Sequence, residues 1–353
     1  MLKFFLKVIL LFVIVLLLSM VVRSFVPTFF AGKVIYNKSQ IWEKNKDKYH
    51  ALFLGTSRIN HGVKPKIFDK VYKNNSKKKS MKSFNFGISG ASSGEVFFVL
   101  DNLLSEKPDK LRFVVMELCS IETSIGDKFC VENLHTNRNK YWLTRKTNSF
   151  VQSNVRGFQG KVSSKRLWAS RKNYFVNWFE NIFNIGMLTS AAELSLEGIP
   201  PERGVGRAKD GYNNIEAGLE RGAKRARKGF LKSKEKLNDT KRKKSLQYFT
   251  EKNQSLPTNE PYLEKLKELI RDYKERGIHL LIVAPPLMSP SSYAELSPVF
   301  FSLPKAHRLN FADGKDHSAL YDDDNVWDGN HVNNSGAEEF SREMAREIAK
   351  RGL

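Results

Sequence analysis

Cysteine is scarce in this chain: Cys119 and Cys130 are the only two in 353 residues. A small disulfide-built scaffold is therefore excluded. Acidic side chains are outnumbered, 37 Asp and Glu against 59 Lys and Arg, which leaves a formal net charge of +22. Collagen-like and coiled-coil patterns are missing as well. Nothing after residue 50 has the length and apolarity of a membrane-crossing helix.

What is present argues for a globular body. Hydrophobic residues make up 41% of the chain, and 25 Phe with 11 Tyr cannot all stay wet, so global disorder is excluded. The length suits one large domain or two medium ones. The positive charge is local. Residues 221–244 hold 12 Lys and Arg against only Glu235 and Asp239, and Lys73, Lys77, Lys78, Lys79 and Lys82 form a smaller cluster.

The beginning of the chain sets the expected compartment. Residues 8–22 are uncharged and apolar, and the run extends upstream to Phe4 past a single Lys7. That length suits one helical crossing of a bilayer, with Lys7 reaching the headgroups. No small-residue cleavage site follows, because the run leaves through Met20-Val21-Val22-Arg23. Residues 1–24 therefore read as an uncleaved signal anchor. Lys3 and Lys7 before it, against Arg23 and Lys33 after it, favour an inside N-terminus. The expected setting is a bacterial-type inner membrane, crossed once, with the remainder facing the periplasm or cell exterior. There, Cys119 and Cys130 are either a disulfide or two buried thiols. Residues 25–48 read as a stalk, and 49–353 as one domain interrupted by an insertion at about 123–258.

Within that domain the pattern alternates. Ala51–Leu54 predicts a strand, Lys64–Tyr72 a helix, Ser83–Phe86 a strand, 94–106 a helix and Leu111–Leu118 a strand. The third strand is almost continuously apolar, as a strand covered on both faces should be. This is half of a doubly wound parallel α/β sheet. After the basic and aromatic insertion, Pro261 opens an amphipathic helix, and strand Ile278–Ala284 ends at Pro285-Pro286. Ser335 with Glu338 has the form of a capping box before a terminal helix striped by Ala337, Phe340, Met344 and Ile348.

One constellation has chemical potential. A serine becomes a nucleophile beside a base that a third polar group orients. Ser57 follows the first strand behind Gly55-Thr56, where a strand-to-helix turn presents its hydroxyl at the sheet's carboxyl edge. Asp328 and His331, three residues apart, precede the last helix. The order Ser, Asp, His is a known one for this geometry. Backbone N–H groups of Ser57 and Gly90 are the expected oxyanion donors. Arg58 either holds an anionic substrate or pairs with Glu117. Asn85 is expected to fix the second turn, and it is counted with Arg58 and Glu117 among the substrate contacts. His61 reads as a surface residue, with the pocket as the alternative. His50, His135, His279, His307 and His317 have no metal-ligand spacing, and Asp322, Asp323 and Asp324 read as a wet loop. No metal or cofactor is implied.

These residues carry a resemblance. FLGTSR, NFGISG and the terminal DGNH resemble blocks one, two and five of the SGNH (GDSL-like) hydrolase superfamily. The resemblance implies a flavodoxin-like three-layer parallel sheet with Ser57 as nucleophile, His331 as general base, Asp328 as its orienter and Gly90 in the oxyanion hole. At the third block the chain departs: Glu117-Leu118 ends the strand, but Ile121 stands where the family has an asparagine. The chain is most similar to the membrane-anchored, envelope-facing members, such as the teichoic acid D-alanine transfer and alginate O-acetylation proteins. These imply acyl transfer or ester hydrolysis on an envelope glycan or other acylated carbohydrate, with a membrane-bound acyl-donor protein as partner. The alternative is a non-catalytic, membrane-anchored scaffold whose basic patches hold an anionic envelope polymer. Nucleic acid is not an expected partner on that side of a membrane. The basic clusters are read as lying away from the catalytic blocks and serving to position the protein on anionic glycan or lipid headgroups.

Overall fold

The computed structural model describes residues 1–26, 28–29, 33–76, 80–120, 141–157, 209–217, 221–251, 257–287 and 290–353, with isolated residues between 168 and 183. Five parallel strands form the sheet: β1 (Ala51–Gly55), β2 (Ser83–Gly87), β3 (Phe113–Glu117), β4 (His279–Ala284) and β5 (Arg308–Asn310). Their spatial order is β2-β1-β3-β4-β5. The helices are α1 (Leu2–Phe25), α2 (Lys33–Asn45), α3 (Ser57–Gly62), α4 (Pro65–Asn75), α5 (Ser93–Leu103) and α6 (Arg145–Gly157). They continue with α7 (Arg221–Leu231), α8 (Lys234–Tyr248), α9 (Glu260–Glu275), α10 (Pro290–Ser302) and α11 (Asn334–Lys350).

Every residue of β1, β2 and β3 is buried. Because successive strand side chains point to opposite faces, each strand feeds two cores. Leu52 and Leu54 pack with Phe84, Phe86, Val114 and Met116 on one side, under α2, α5, α6, α9 and α10. Ala51 and Phe53 pack with Phe113 and Val115 on the other, against α3, α4 and α11. The continuous apolarity of β3 is thus the signature of a sheet covered on both faces.

Three expectations change. The segment read as a stalk is packed: α2 buries Ile35, Lys38, Ser39 and Trp42 along one side. The spacing 35, 38, 39, 42 is one helical stripe, and burying a side chain like Trp42 is worth about 1.5–3 kcal/mol or more. Trp42 also stacks on Tyr49 at 5.6 Å between ring centroids. Secondly, Asn333 caps the last helix, its Oδ1 accepting from Gly336 N at 2.9 Å. Glu338, the expected capping-box partner, instead pairs with Lys64 at 2.9 Å. Thirdly, β5 is too short to show a period-2 pattern and had no counterpart in the sequence reading.

The helix α1 is long and apolar enough to cross a membrane from Leu2 to Val22, and none of that span is buried in the protein.

Candidate active site

The site begins where β1 ends. A Cβ on Gly55 would stand 2.5 Å from Oε2 of Glu117 and from Cγ1 of Ile59, so only glycine fits. Thr56 follows as the N-cap of α3, its hydroxyl accepting from Arg58 N at 3.3 Å. This leaves Ser57 on the first turn of α3, where backbone N–H groups have no acceptor within the helix.

Glu117 at the end of β3 locks this turn. Its carboxylate is 1% exposed and accepts from Thr56 N at 2.6 Å, Thr56 Oγ1 at 2.9 Å and Arg58 Nε at 2.8 Å. A buried carboxylate needs such donors, and three fixed ones make it a rigid brace. Of the two roles open to Arg58, pairing with Glu117 is the one present. Glu117 has no face left for substrate. Asn85 is wholly buried too: its Nδ2 donates to the carbonyls of Ile59 and Val63 at 2.7 Å each, and its Oδ1 accepts from Gly87 N at 2.8 Å. It fixes the second turn through these bonds and, like Glu117, is buried with its polar atoms bonded to protein groups.

The loop before α11 brings the other two residues. An antiparallel bridge between Val326 and Val332 closes it, and Trp327 N donates to His331 O at 2.8 Å. Inside this small loop, Asp328 Oδ1 accepts from the backbone N–H of Asn330 at 2.8 Å and of His331 at 3.1 Å. The same carboxylate lies 2.9 and 3.0 Å from His331 Nδ1. A carboxylate with its charge can only accept, so Nδ1 carries the ring proton. Burial alone would raise the Asp328 pKa; the His331 hydrogen bond and charge and the two backbone N–H groups outweigh it and hold it below its ordinary value. That leaves Nε2 of His331 as an acceptor, 2.8 Å from Ser57 Oγ. Ser57, His331 and Asp328 thus form one hydrogen-bonded chain.

A narrow cleft beside this chain is lined by Arg58, His61, Pro285, Pro286, Asn330 and His331. His61 lines it rather than the outer surface, its ring 6.0 Å from that of His331 and nearly perpendicular. A wider groove lies between α6 and α9 and shares no residue with this cleft. It is lined by charged side chains with Ser149, Ser153, Phe150 and Pro261 but holds no histidine, so the narrow cleft is the candidate site. Gly90 sits in the turn after β2 with φ 70°, the left-handed region glycine adopts freely. That turn is tied to β1 by Ile88 N donating to Gly55 O at 2.8 Å. Ile121 and Cys130 lie outside the described residues; Cys119 is a buried free thiol whose Sγ contacts Glu117 O at 3.2 Å.

The basic insertion is not remote from the site. Arg227 of α7 donates to the carbonyls of Val326 and Trp327 at 2.8 and 2.7 Å, with its guanidinium 5.0 Å from the Trp327 ring centre. Asn238 of α8 donates to Tyr321 O at 3.0 Å and Asp323 Oδ1 at 2.7 Å, so part of the acidic run is engaged. The basic run therefore braces the Asp328–His331 loop from outside. Composition could not reveal this, since the contacts span about a hundred residues and use backbone carbonyls. Lys38, Asn60 and Ser89 were also missed, though the buried stripe of α2 passes through Lys38. Among the described residues no cluster of His, Cys, Asp and Glu is placed to hold a metal ion. No family model, curated protein or solved structure matches the chain.

Proposed function

We propose that the protein is a serine-dependent acyltransferase or esterase acting on an envelope glycan or related acylated carbohydrate. The observation that carries this is the 2.8 Å contact between Ser57 Oγ and a His331 whose other nitrogen is held by Asp328. Ser57 attacks the ester carbonyl while its proton passes to His331 Nε2. The tetrahedral oxyanion is met by N–H groups at Ser57 and Gly90. The carbon–oxygen bond of the leaving group breaks, His331 returns the proton to it, and the acyl group stays on Ser57. An incoming sugar hydroxyl or water then gives its proton to His331 and attacks the acyl carbon; the bond to Ser57 Oγ breaks, and His331 returns the proton to that oxygen.

The strand order β2-β1-β3-β4-β5 supports the SGNH resemblance, because it is the flavodoxin-like order with Ser57 at a carboxyl edge near the switch point. The length and apolarity of α1 support a membrane anchor; an inner-membrane seat, a domain on the outer side and a membrane-bound acyl-donor protein as partner follow from the resemblance alone. A scaffold that only bound polymer would have no use for an oriented histidine on a serine. The test is labelling of the full-length protein with a fluorophosphonate probe. Ser57→Ala should abolish labelling, and an undiminished signal in that variant would overturn the reading.

A further inference from the structure

Lys38 is the least expected buried residue in the molecule. It is 2% exposed, on a helix that follows the membrane-length segment, and an isolated ammonium is costly to bury. Its Nζ donates to Asn60 Oδ1 at 2.7 Å and to Gly87 O at 2.7 Å. Among the described residues no carboxylate lies within ion-pair distance of it. Burial accordingly pulls its pKa down to about 7, against a weaker attraction from Asp210. Charged or neutral, the amine keeps enough hydrogens for both acceptors.

From Lys38 the proton positions follow one after another. With its oxygen facing the amine, the Asn60 amide turns its nitrogen to Ser89 Oγ at 3.0 Å. His61 Nδ1 lies 2.8 Å from the carbonyl of Asn213, which only accepts, so that nitrogen holds the ring proton. Burial pushes the His61 pKa down to about 4, so the ring is neutral at physiological pH and Nε2 is an acceptor. Ser89 Oγ, 3.2 Å away, donates to it. Every donor points one way, from Lys38 through Asn60 and Ser89 to His61. The chain grips both ends of the turn after β2: Gly87 by its carbonyl and Ser89 by its hydroxyl. Gly90 is the next residue. The turn is also pressed against α3, since a Cβ on Gly87 would stand 2.2 Å from Asn60 N.

We propose that Lys38 is a positioning residue for the oxyanion site, setting the Gly87–Gly90 turn against Ser57 through Asn60 and Ser89. The helix after the apolar segment then completes the active site. This rests on the Ser57 reading above for its catalytic consequence, but not for the structural one.

Two measurements on the full-length protein in detergent test it. The first is hydrogen exchange across residues 83–92 in Lys38→Met and Ser89→Ala. Exchange there should be at least about tenfold faster than in wild type, since an ordered turn loses its fixed partners. Unchanged exchange in both variants overturns the proposal, whatever Ser57 does. The second is p-nitrophenyl acetate hydrolysis. Lys38→Met should lower kcat about 10- to 100-fold with KM within about twofold, because misplacing a donor weakens transition-state binding more than ground-state binding. Ser89→Ala should lower it less, and the double variant should be no worse than Lys38→Met alone. Additive losses, or an unchanged kcat in both single variants, overturn the catalytic role. Should Lys38→Met fail to fold, Ser89→Ala carries both measurements. A wild-type protein without esterase activity or Ser57 labelling would instead sink the serine reading, and hydrogen exchange would still decide the turn.

Discussion

Two serine–histidine pairs stand side by side in this protein, and they differ in what lies behind the ring. Ser57 meets His331, which is backed by the Asp328 carboxylate. Ser89 meets His61, which is backed by the carbonyl of Asn213. The contact to the serine is similar, 2.8 against 3.2 Å. A carboxylate stabilises the positive ring that forms when the histidine takes a proton; a carbonyl on a buried ring does so far less. Burial pushes the His61 pKa down to about 4, and the Asn213 carbonyl, though it favours the charged ring, does not offset that. Distance to a serine does not make a base. The third partner decides which pair can do chemistry and which only holds a turn.

The comparison can be broken in several ways, and the largest effect should come from the rings themselves. His331→Ala should lower kcat/KM for p-nitrophenyl acetate by at least about 10³-fold, whereas His61→Ala should cost about tenfold or less. Equal losses would erase the distinction. Next, Asp328→Asn should cost roughly 10²- to 10⁴-fold, by losing the charge and the tautomer it enforces. Loop contacts come third. Arg227→Ala removes two donors to the Val326 and Trp327 carbonyls and should slow turnover severalfold, with faster exchange at 326–332. Wild-type exchange in that loop would show that the insertion does not brace it.

The last effect is on stability against pH; its sign is the same at both ends of the Lys38–His61 chain, and only the pH interval differs. Unfolded, Lys38 keeps its proton to about 10.5; folded, it releases it near 7. Between those values the unfolded chain binds the extra proton, so raising the pH from 7 to 9.5 favours the fold. His61 behaves likewise lower down: unfolded it takes a proton near 6.5, folded only near 4, so stability falls as the pH drops through that interval. Each group contributes a slope of at most about 1.4 kcal/mol per pH unit. Thermal melts of Lys38→Met should lack the alkaline gain relative to wild type, and those of His61→Gln the acid loss. Parallel curves would show that neither group is buried as described.

The legible parts of this protein are those written locally. Gly55-Thr56-Ser57 and Asp328 with His331 each sit within one turn of chain, so residue type and spacing point to their geometry. The alternation of strands and helices was legible for the same reason, down to the apolar run of β3. What was not legible depends on folding distant segments together. Lys38 reaches the carbonyl of Gly87 and Arg227 that of Trp327, and an accepting backbone carbonyl leaves no mark in the sequence. The charged composition of 33–45 concealed a stripe in which a lysine occupies the helix's buried side. His61 was assigned to the surface because nothing near it in the chain foretells Asn213 or Ser89. β5, with three residues, is defined by its pairing with β4 and by little else.

The docking of α2 has one more consequence, for reach. Residues 26–32 separate α1 from α2, and Phe29 among them is already fastened to the core against Phe86, Phe98 and Tyr141. Val26, the residue directly after α1, packs against the same core, so α1 leaves the domain with almost no intervening chain. Wherever α1 is seated, Ser57 travels with it at nearly constant height, like a stylus on a short arm. On the function proposed above, a serine hung this way works a thin layer, and its substrates must be delivered to that layer.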